Sequence, residues 1–237
     1  MQTNEQPKRL GIICAMQIEL TDILAASEDV VQRKVGSRVY YEAKLSGCEI
    51  VATVCGIGKV NAASTTQELI SVFAPAAVVN SGIAGALDDD LLPGDIILAT
   101  GLVYHDFDLG YFTQVPSPIP TDSSLIEMTG ASADTPIKRG IIASGDAFVS
   151  NTALRNEIVQ RTRALAVDME SAAVAQVAHL NDVPSLIIRS ISDMADDEAE
   201  ETYDNFEARA AARSAALLVG LAGRLVKHQL ERVDKIH

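Results

Sequence analysis

Short apolar runs alternate with amphipathic stretches along the whole chain, and this alternation restricts the possible folds more than any other feature. A short continuous apolar run is typical of a strand covered on both faces, whereas a longer run with helical spacing is typical of a helix. The predicted strands are Leu10–Ala15, Val39–Leu45, Glu49–Val54, Ala76–Asn80, Asp95–Thr100, Ile141–Ala143, Ala164–Val167 and Ser185–Ser190. The predicted helices are Gln17–Ala26, a stretch from the Gly56–Lys59 turn to Phe73, Ser171–Leu180 and Tyr203–Leu230.

The order of these elements predicts an α/β fold, a three-layer αβα sandwich with a mixed, twisted central sheet. The second and third predicted strands alternate in hydrophobicity and are joined by Ser46-Gly47, so we expect an antiparallel hairpin there. Prolines between Gly110 and Thr121 predict a loop. No Gly/Ser-rich linker divides the 237 residues. We therefore expect a single domain from residue 1 to residue 237, with a flexible tail at residues 1–8.

The charge balance excludes several classes of partner. The chain carries 32 acidic and 19 basic residues, a formal net charge of −13, and such a chain repels phosphate backbones and anionic lipid. We expect neither nucleic acid nor a membrane as a partner. The polar start, MQTNEQPKR, does not resemble a signal peptide, and the uncharged runs fall short of the roughly 20 residues that span a bilayer. A soluble, cytoplasmic protein is the expectation.

The cysteine and histidine content indicates neither a disulfide framework nor a metal centre. Cys14, Cys48 and Cys55 form no CxxC pair, and none of the four histidines has metal-ligand spacing to another ligand. We predict free thiols in a reducing compartment, no metal and no cofactor.

Acidic residues follow several predicted strands, at the edge of the sheet where α/β proteins bind ligands. Glu19 comes soon after the first predicted strand, Glu170 after the seventh and Asp193 after the eighth. Carboxylates that share a pocket can cleave a glycosidic bond, because one donates a proton to the leaving group while another activates water. Each acid taken alone also suits a helix cap, since helix N-termini favour negative charge.

Eight blocks of sequence follow one another from Gly11 to about Ala212. They are GIICAMQIE, CGIGKVNAA, NSGIAGAL, PGDI, YHDFD, SGDAFV, VDMESAAVAQV and VPSLIIRSISDMAD. In content, order and spacing they resemble the blocks of the 5′-methylthioadenosine/S-adenosylhomocysteine nucleosidases, in the nucleoside phosphorylase/hydrolase superfamily. The resemblance implies hydrolysis of the N-ribosidic bond of these two nucleosides, with release of adenine and the 5′-thio-substituted ribose. It also implies a homodimer in which a loop of the neighbouring subunit helps to close the site.

The resemblance implies a role for each matching residue. Glu19 would activate the attacking water, and Asp193 would protonate adenine N7. Met169 and Glu170 would hold the ribose, and Arg189 would position Glu170 or the water. Phe148 would stack on adenine, the Val149 backbone would pair with its edge, and Ile57 would lie near the sugar. The full set of implied substrate-binding residues is Ile57, Ile83, Ala84, Gly85, Phe148, Val149, Asp168, Met169, Glu170, Arg189, Ser192 and Tyr203.

Some positions depart from the family pattern. Ile83 stands where a Ser is usual, Asp168 replaces a Glu, and Tyr203 replaces a pocket Phe. The loop from Leu109 to Pro120 looks shortened. These departures leave open the choice among 5′ substituents, including a sister activity on futalosine or another 5′-modified purine nucleoside. A nucleoside-binding domain that has lost catalysis is a further alternative, although binding alone requires no general acid.

Two segments distinguish hydrolysis from phosphorolysis. A phosphorylase binds dianionic phosphate, normally through arginines near the ends of the strands. Cys14–Glu19 and Ser81–Leu87, which face that position in the family, contain neither Arg nor Lys. Because Glu19 would repel phosphate and can deprotonate water, the sequence favours a hydrolase.

Overall fold

The computed structural model describes residues 9–107, 118–130 and 137–234 of the chain. Within these ranges the strands are β1 (Leu10–Cys14), β2 (Ser27–Val35), β3 (Arg38–Leu45), β4 (Cys48–Val54), β5 (Ala77–Ala86), β6 (Ile96–Tyr104), β7 (Ile119–Pro120), β8 (Ile137–Ser144), β9 (Ala166–Asp168) and β10 (Ser185–Asp193). The helices are α1 (Gln17–Ala25), α2 (Lys59–Phe73), α3 (Ser123–Gly130), α4 (Thr152–Thr162), α5 (Ser171–Leu180) and α6 (Ala199–Asp234). The predicted tail at residues 1–8 and most of the Leu109–Pro120 loop lie outside the described residues.

The strands form one mixed sheet with helices packed on it, as predicted, and part of this sheet also closes into a barrel, which the prediction did not include. β5 pairs with β10 along one edge, while its other edge pairs first with β1 and then with β9. From β10 the pairing continues through β6 and β8 to β9, so that β5, β10, β6, β8 and β9 close into a barrel. β1, β4, β3 and β2 extend the sheet beyond it.

The length of β5 explains why the sequence did not predict the barrel. The predicted strand ended at Asn80. The strand instead runs to Ala86, and every one of its residues is buried. The additional residues, Gly85 and Ala86, are the ones that pair with β9. One edge of β5 therefore pairs with both β1 and β9. The pairing with β1 extends the sheet, and the pairing with β9 closes the barrel.

Helices cover both faces of the sheet, which confirms the α/β class. One core contains Ile13 of β1 together with buried residues of α2 and α5. The other contains Ile12 of β1 with buried residues of α1, α3 and α6. Adjacent strand residues point to opposite faces, so a strand covered on both sides is apolar throughout. No helix within the described residues is long and apolar enough to cross a membrane.

The hairpin is confirmed, since β3 and β4 are antiparallel and Ser46 and Gly47 adopt positive φ angles of 49° and 81°. Three elements have no counterpart in the sequence prediction: β2, α3 and α4. The proline-rich segment, predicted as a loop, ends in the short strand β7, where Pro120 pairs with Gly101. A proline is tolerated there because, among the strands of the described residues, β7 pairs with β6 alone, so an edge N–H is dispensable.

Candidate active site

A cavity of about 570 Å³ opens where β1, β5, β9 and β10 meet. Every residue predicted for the site lines this cavity except Arg189. Six further residues line it that the sequence analysis did not assign: Ala15, Met16, Ala147, Val167, Glu200 and Asp204. Met16 and Ala147 lie inside the sequence blocks that carry the resemblance, and Glu200 lies about one helical turn before Tyr203. The only sign in the sequence that these residues line the cavity was therefore their closeness along the chain to predicted site residues.

Glu19 lies in the first turn of α1 and is 3% exposed. Its Oε2 accepts hydrogen bonds from the N–H groups of Ala15 and Met16 at 2.7 and 3.0 Å. Its Oε1 accepts one from the Ile83 N–H at 3.1 Å. Burial raises the pKa of Glu19, against the opposing effects of Arg189 and these three donors. Glu19 thus satisfies a helix N-terminus, as the alternative interpretation expected, and also borders the cavity.

Gly82 allows Glu19 and Arg189 to approach the middle of β5. A Cβ atom at this position would lie 2.4 Å from Glu19 Oε1 and 3.0 Å from Arg189 Nη1. Similarly, a Cβ atom at Gly85 would lie 2.8 Å from Asp193 Oδ1. Both glycines lie within β5, where the missing side chains leave room for the carboxylates.

Glu170 immediately precedes α5 and contacts the turn that begins α2. Its Oε1 accepts a hydrogen bond from the Gly58 N–H at 2.8 Å. Gly56 and Gly58 have φ angles of +88° and +99°, which favour glycine. Burial, followed by the charge of Asp168, raises the pKa of Glu170 to about 7. At neutral pH this carboxyl group therefore exchanges readily between its protonated and ionised forms.

Asp193 is the last residue of β10 and is 2% exposed. Its Oδ2 accepts a hydrogen bond from the Ser192 hydroxyl at 2.7 Å, and its Oδ1 accepts one from the Ala195 N–H at 2.9 Å. Burial raises the pKa of Asp193, although these two hydrogen bonds oppose the change. A carboxyl group with a raised pKa is suited to donate a proton.

Arg189 lies behind the cavity wall and is 1% exposed. Its Nε donates to Asp168 Oδ2 at 2.8 Å, and its Nη2 donates to Asn80 Oδ1 at 2.5 Å. The Asp168 carboxylate also accepts hydrogen bonds from the hydroxyls of Ser144 and Ser171. The side chain that Arg189 holds directly is therefore Asp168 rather than Glu170. Asp168 borders the cavity, but both of its carboxylate oxygens are already hydrogen-bonded within the protein.

The outer part of the cavity is aromatic and apolar. The rings of Phe148 and Tyr203 meet edge to face, with centroids 5.7 Å apart. The Tyr203 hydroxyl lies 3.3 Å from Met16 Sδ. Ile83, which departs from the family pattern, packs in a small apolar cluster with Ala210 and Ala211 of α6. Among the described residues, no group of three or more His, Cys, Asp or Glu side chains is arranged to hold a metal ion.

The fold and the carboxylate-lined cavity define the class of this protein. Residues 9–222 match the family model described as the phosphorylase superfamily. The match covers the closed sheet, both apolar cores and every residue of the site, so the shared features include those that form the cavity.

More closely, the chain belongs to the family of 5′-methylthioadenosine/S-adenosylhomocysteine nucleosidases. It is 39% identical to such a nucleosidase from Halalkalibacterium halodurans, over 92% of this chain and 99% of that one. A solved nucleosidase of this name from S. pneumoniae, with a transition-state inhibitor, superposes with a TM-score of 0.88 at 32% identity, over 92% and 99% of the two chains. The futalosine hydrolase of Helicobacter pylori superposes with a TM-score of 0.87 at 35% identity, over 91% and 97%.

Proposed function

We propose that the protein hydrolyses the N-ribosidic bond of 5′-methylthioadenosine and S-adenosylhomocysteine, releasing adenine and the 5′-thio-substituted ribose. The observation that carries this proposal is the convergence of three buried carboxylates, Glu19, Glu170 and Asp193, on one cavity. Their different hydrogen-bond partners suit different tasks. The names of the relatives support the same reaction.

In this proposal Asp193 protonates adenine N7, because adenine is a poor leaving group as an anion. Glu19 removes a proton from the attacking water, and Glu170 accepts hydrogen bonds from the ribose hydroxyls. The negative charges also stabilise the cationic sugar of an oxocarbenium-like transition state. Phe148 supplies the face on which adenine stacks, Val149 pairs with its edge through the backbone, and Met169 and Ile57 contact the sugar.

Six more residues that line the cavity have a part in this proposal. Ala84 and Gly85 form the floor of the cavity in β5, and Ser192 holds the proton donor through its 2.7 Å hydrogen bond to Asp193. Tyr203 and Ile83 supply the apolar wall beside the 5′ substituent. Asp168 acts through Arg189, whose charge lies near Glu19 and Glu170.

Water, rather than phosphate, is the expected nucleophile. The described residues that line the cavity include neither Lys nor Arg, and the buried Arg189 is occupied by Asp168 and Asn80. A dianion placed near Glu19 and Glu170 would be repelled by both carboxylates.

Adenine release in phosphate-free buffer tests the reaction. We expect turnover of 5′-methylthioadenosine and S-adenosylhomocysteine without phosphate, and we expect Asp193→Asn to bind 5′-methylthioadenosine while losing about 10²–10⁴-fold in kcat, the usual contribution of a general acid. A requirement for phosphate would contradict hydrolysis. Binding without any adenine release from the wild-type protein would favour the non-catalytic alternative.

Futalosine is the second candidate substrate, because the H. pylori futalosine hydrolase is similar in sequence and structure. The apolar wall formed by Met16, Ile83 and Tyr203 favours a methylthio group over a more polar 5′ substituent. We therefore expect kcat/KM for 5′-methylthioadenosine to exceed that for futalosine, and the reverse order would reassign the substrate.

We also propose that the protein is a homodimer that works in the reducing cytoplasm. Ile57 and Phe148 line the cavity yet are 52% and 43% exposed, and Val60 and Phe107 nearby are 79% and 53% exposed. A second copy that covered these side chains would also narrow the mouth of the cavity. The three cysteines are buried free thiols, which supports a reducing compartment.

A further inference from the structure

Three charged side chains outside the cavity link the segments that form two of its walls. Lys59 is the first residue of α2, while Asp106 and Asp146 follow β6 and β8. Lys59 Nζ lies 2.5 Å from Asp106 Oδ2 and 3.5 Å from Asp146 Oδ2. The Lys59 N–H donates to Asp146 Oδ1 at 2.8 Å, and the Asp146 N–H donates to Asp106 Oδ2 at 2.8 Å. We call these three residues the Lys59 clasp.

Two segments of the cavity wall adjoin the clasp in the sequence, one before Lys59 and one after Asp146. Immediately before Lys59, the Gly58 N–H donates to Glu170 Oε1 at 2.8 Å, and Ile57 lines the cavity. Immediately after Asp146, Phe148 and Val149 line the opposite wall. We call residues 56–58 the ribose-binding turn and residues 147–149 the purine-binding segment, after their proposed roles. The clasp lies where these two segments come together, although none of its three residues lines the cavity.

The contact between the two walls is close. Gly58 precedes α2 and has no side chain to cap the helix, and Asp146 supplies the acceptor instead. A Cβ atom at Gly58 would lie 3.2 Å from Asp146 Oδ1. The partial positive charge of the helix N-terminus and the Lys59 ammonium group both attract this carboxylate. Asp146 is thus held by backbone and side chain of the same residue.

The clasp differs from an ordinary surface ion pair. The side chains of Lys59, Asp106 and Asp146 are 23%, 29% and 50% exposed, whereas those of the Lys44–Asp29 pair on the outer hairpin are 51% and 70% exposed. Backbone N–H groups add two hydrogen bonds to the charged network. Without the lysine, the carboxylates of Asp106 and Asp146 would face each other with like charge.

We propose that the Lys59 clasp is a positioning device that sets the separation of the ribose-binding turn and the purine-binding segment, and thereby the affinity for the nucleoside. This inference rests on the proposed nucleosidase activity for its kinetic consequence. The clasp residues do not touch the substrate. They act through Gly58 on one wall and through Phe148 on the other.

Steady-state kinetics with 5′-methylthioadenosine test the proposal. We expect Lys59→Met to raise KM about tenfold while kcat changes by less than about threefold, because the loss concerns binding rather than proton transfer. Lys59→Arg should have a KM within about threefold of the wild-type value, since a guanidinium group can donate hydrogen bonds to the carboxylates of both Asp106 and Asp146. Lys44→Met, which removes an exposed ion pair, is the matched control and should leave both constants unchanged.

Amide hydrogen exchange provides a readout that does not depend on catalysis. Lys59→Met should accelerate exchange of residues 56–59 and 145–149 together, and Lys44→Met should affect neither segment. If Lys59→Met does not fold, Asp106→Ala, which removes the shared acceptor, takes its place with the same expectations.

The outcomes separate the two proposals. A wild-type protein that releases no adenine refutes the nucleosidase function, and the exchange comparison then still tests the clasp. If the wild-type protein is active but the clasp variant has an unchanged KM, only the clasp proposal is refuted. The same holds if the two segments show no joint change in hydrogen exchange.

Discussion

Gly82 leaves no room for a side chain beside the proposed base. Two charged side chains meet over it, and any Cβ atom would collide with the carboxylate of Glu19. Glu19 cannot move aside without losing hydrogen bonds to the backbone of Ala15, Met16 or Ile83. The position of the proposed base therefore depends on the absence of a side chain on the neighbouring strand.

We predict that Gly82→Ala lowers kcat by about 10²-fold, because a displacement of about 1 Å at a reacting group has an effect of this size. Gly140→Ala is the control. A Cβ atom there would lie 2.4 Å from Leu165 Cδ1 and 2.7 Å from Leu165 Cγ, so it would meet an apolar side chain rather than a carboxylate. Initial rates and thermal unfolding of both variants make the comparison. Wild-type turnover in Gly82→Ala would show that Glu19 is not held as described.

Glu170 makes the stability of the protein depend on pH. Its pKa rises from 4.5 to about 7 in the folded protein, so the folded state retains a proton that the unfolded state has already released. The contribution to stability is complete below about pH 4.5 and is lost as the pH rises towards about 7. Glu19 and Asp193 also have raised pKa values, so a Glu170 variant is needed to isolate its part.

We predict that Glu170→Gln reduces this pH dependence. Relative to wild type, the variant should gain stability between about pH 5 and about pH 8 by about 1 kcal/mol or more, which corresponds to about 2–4 °C in Tm. The glutamine oxygen can still accept the hydrogen bond from Gly58. Calorimetry at several pH values measures the difference, and parallel Tm profiles for the two proteins would contradict the assignment.

At the scale of elements, the helices of one face derive their stability from packing. Leu218 of α6 is fully buried in the core that also contains α1 and α3. Leu180, at the end of α5, is 72% exposed. The same substitution at these two positions therefore compares a buried side chain with an exposed one.

We predict that Leu218→Ala lowers the free energy of unfolding by about 2–5 kcal/mol, since it removes buried methyl groups and leaves a cavity. Leu180→Ala should change it by no more than about 0.5 kcal/mol. Chemical denaturation measures both values. Equal effects in the two variants would mean that α6 is not packed on the sheet as described.

The helix α5 and the strand β2 show how burial affects the prediction of elements from sequence. α5 was predicted with the bounds that the structure shows, Ser171–Leu180, and most of its residues are buried. β2 was missed, because most of its residues are exposed and its charged sequence has no apolar alternation. In the part of the chain that the structure describes, β2 is an edge strand that pairs with β3 alone, so its conformation depends on a neighbour rather than on its own pattern.

At the scale of the whole molecule, the exposed apolar side chains around the cavity mouth support the proposed dimer. Val60, in α2, is 79% exposed and follows Lys59 in the sequence. Phe107 is also exposed, and it follows Asp106, the ion-pair partner of Lys59. Val31, on the edge strand β2, is 61% exposed but distant in sequence and fold from this region. The two valines allow a test with the same substitution.

We predict that the wild-type protein has twice the 25.2 kDa mass of the chain in solution. Val60→Glu should shift it towards the monomer and reduce activity, because a buried unpaired charge opposes association. Val31→Glu should leave mass and activity unchanged. Light scattering after size-exclusion chromatography measures the mass. A monomeric wild-type protein with full activity would contradict the dimer.

The sequence by itself determined the α/β class, the order of most buried elements and the candidate residues of the site. These properties depend on local pattern, since burial shapes the spacing of apolar residues and catalysis requires particular side-chain types. The resemblance added a role for each residue. Except for Arg189, all the residues assigned in this way line one cavity, and their individual roles stay predictions.

Only the tertiary structure decided how distant segments meet. The barrel closes because one edge of β5 pairs with both β1 and β9, and no local pattern specifies that choice. Asp168, a predicted substrate contact that lines the cavity, also holds Arg189 across 21 residues of sequence. Gly82, within β5, allows Glu19 of α1 to approach the strand closely. Each of these contacts joins residues far apart in the chain, and their mutual geometry arises only when the strands are brought together.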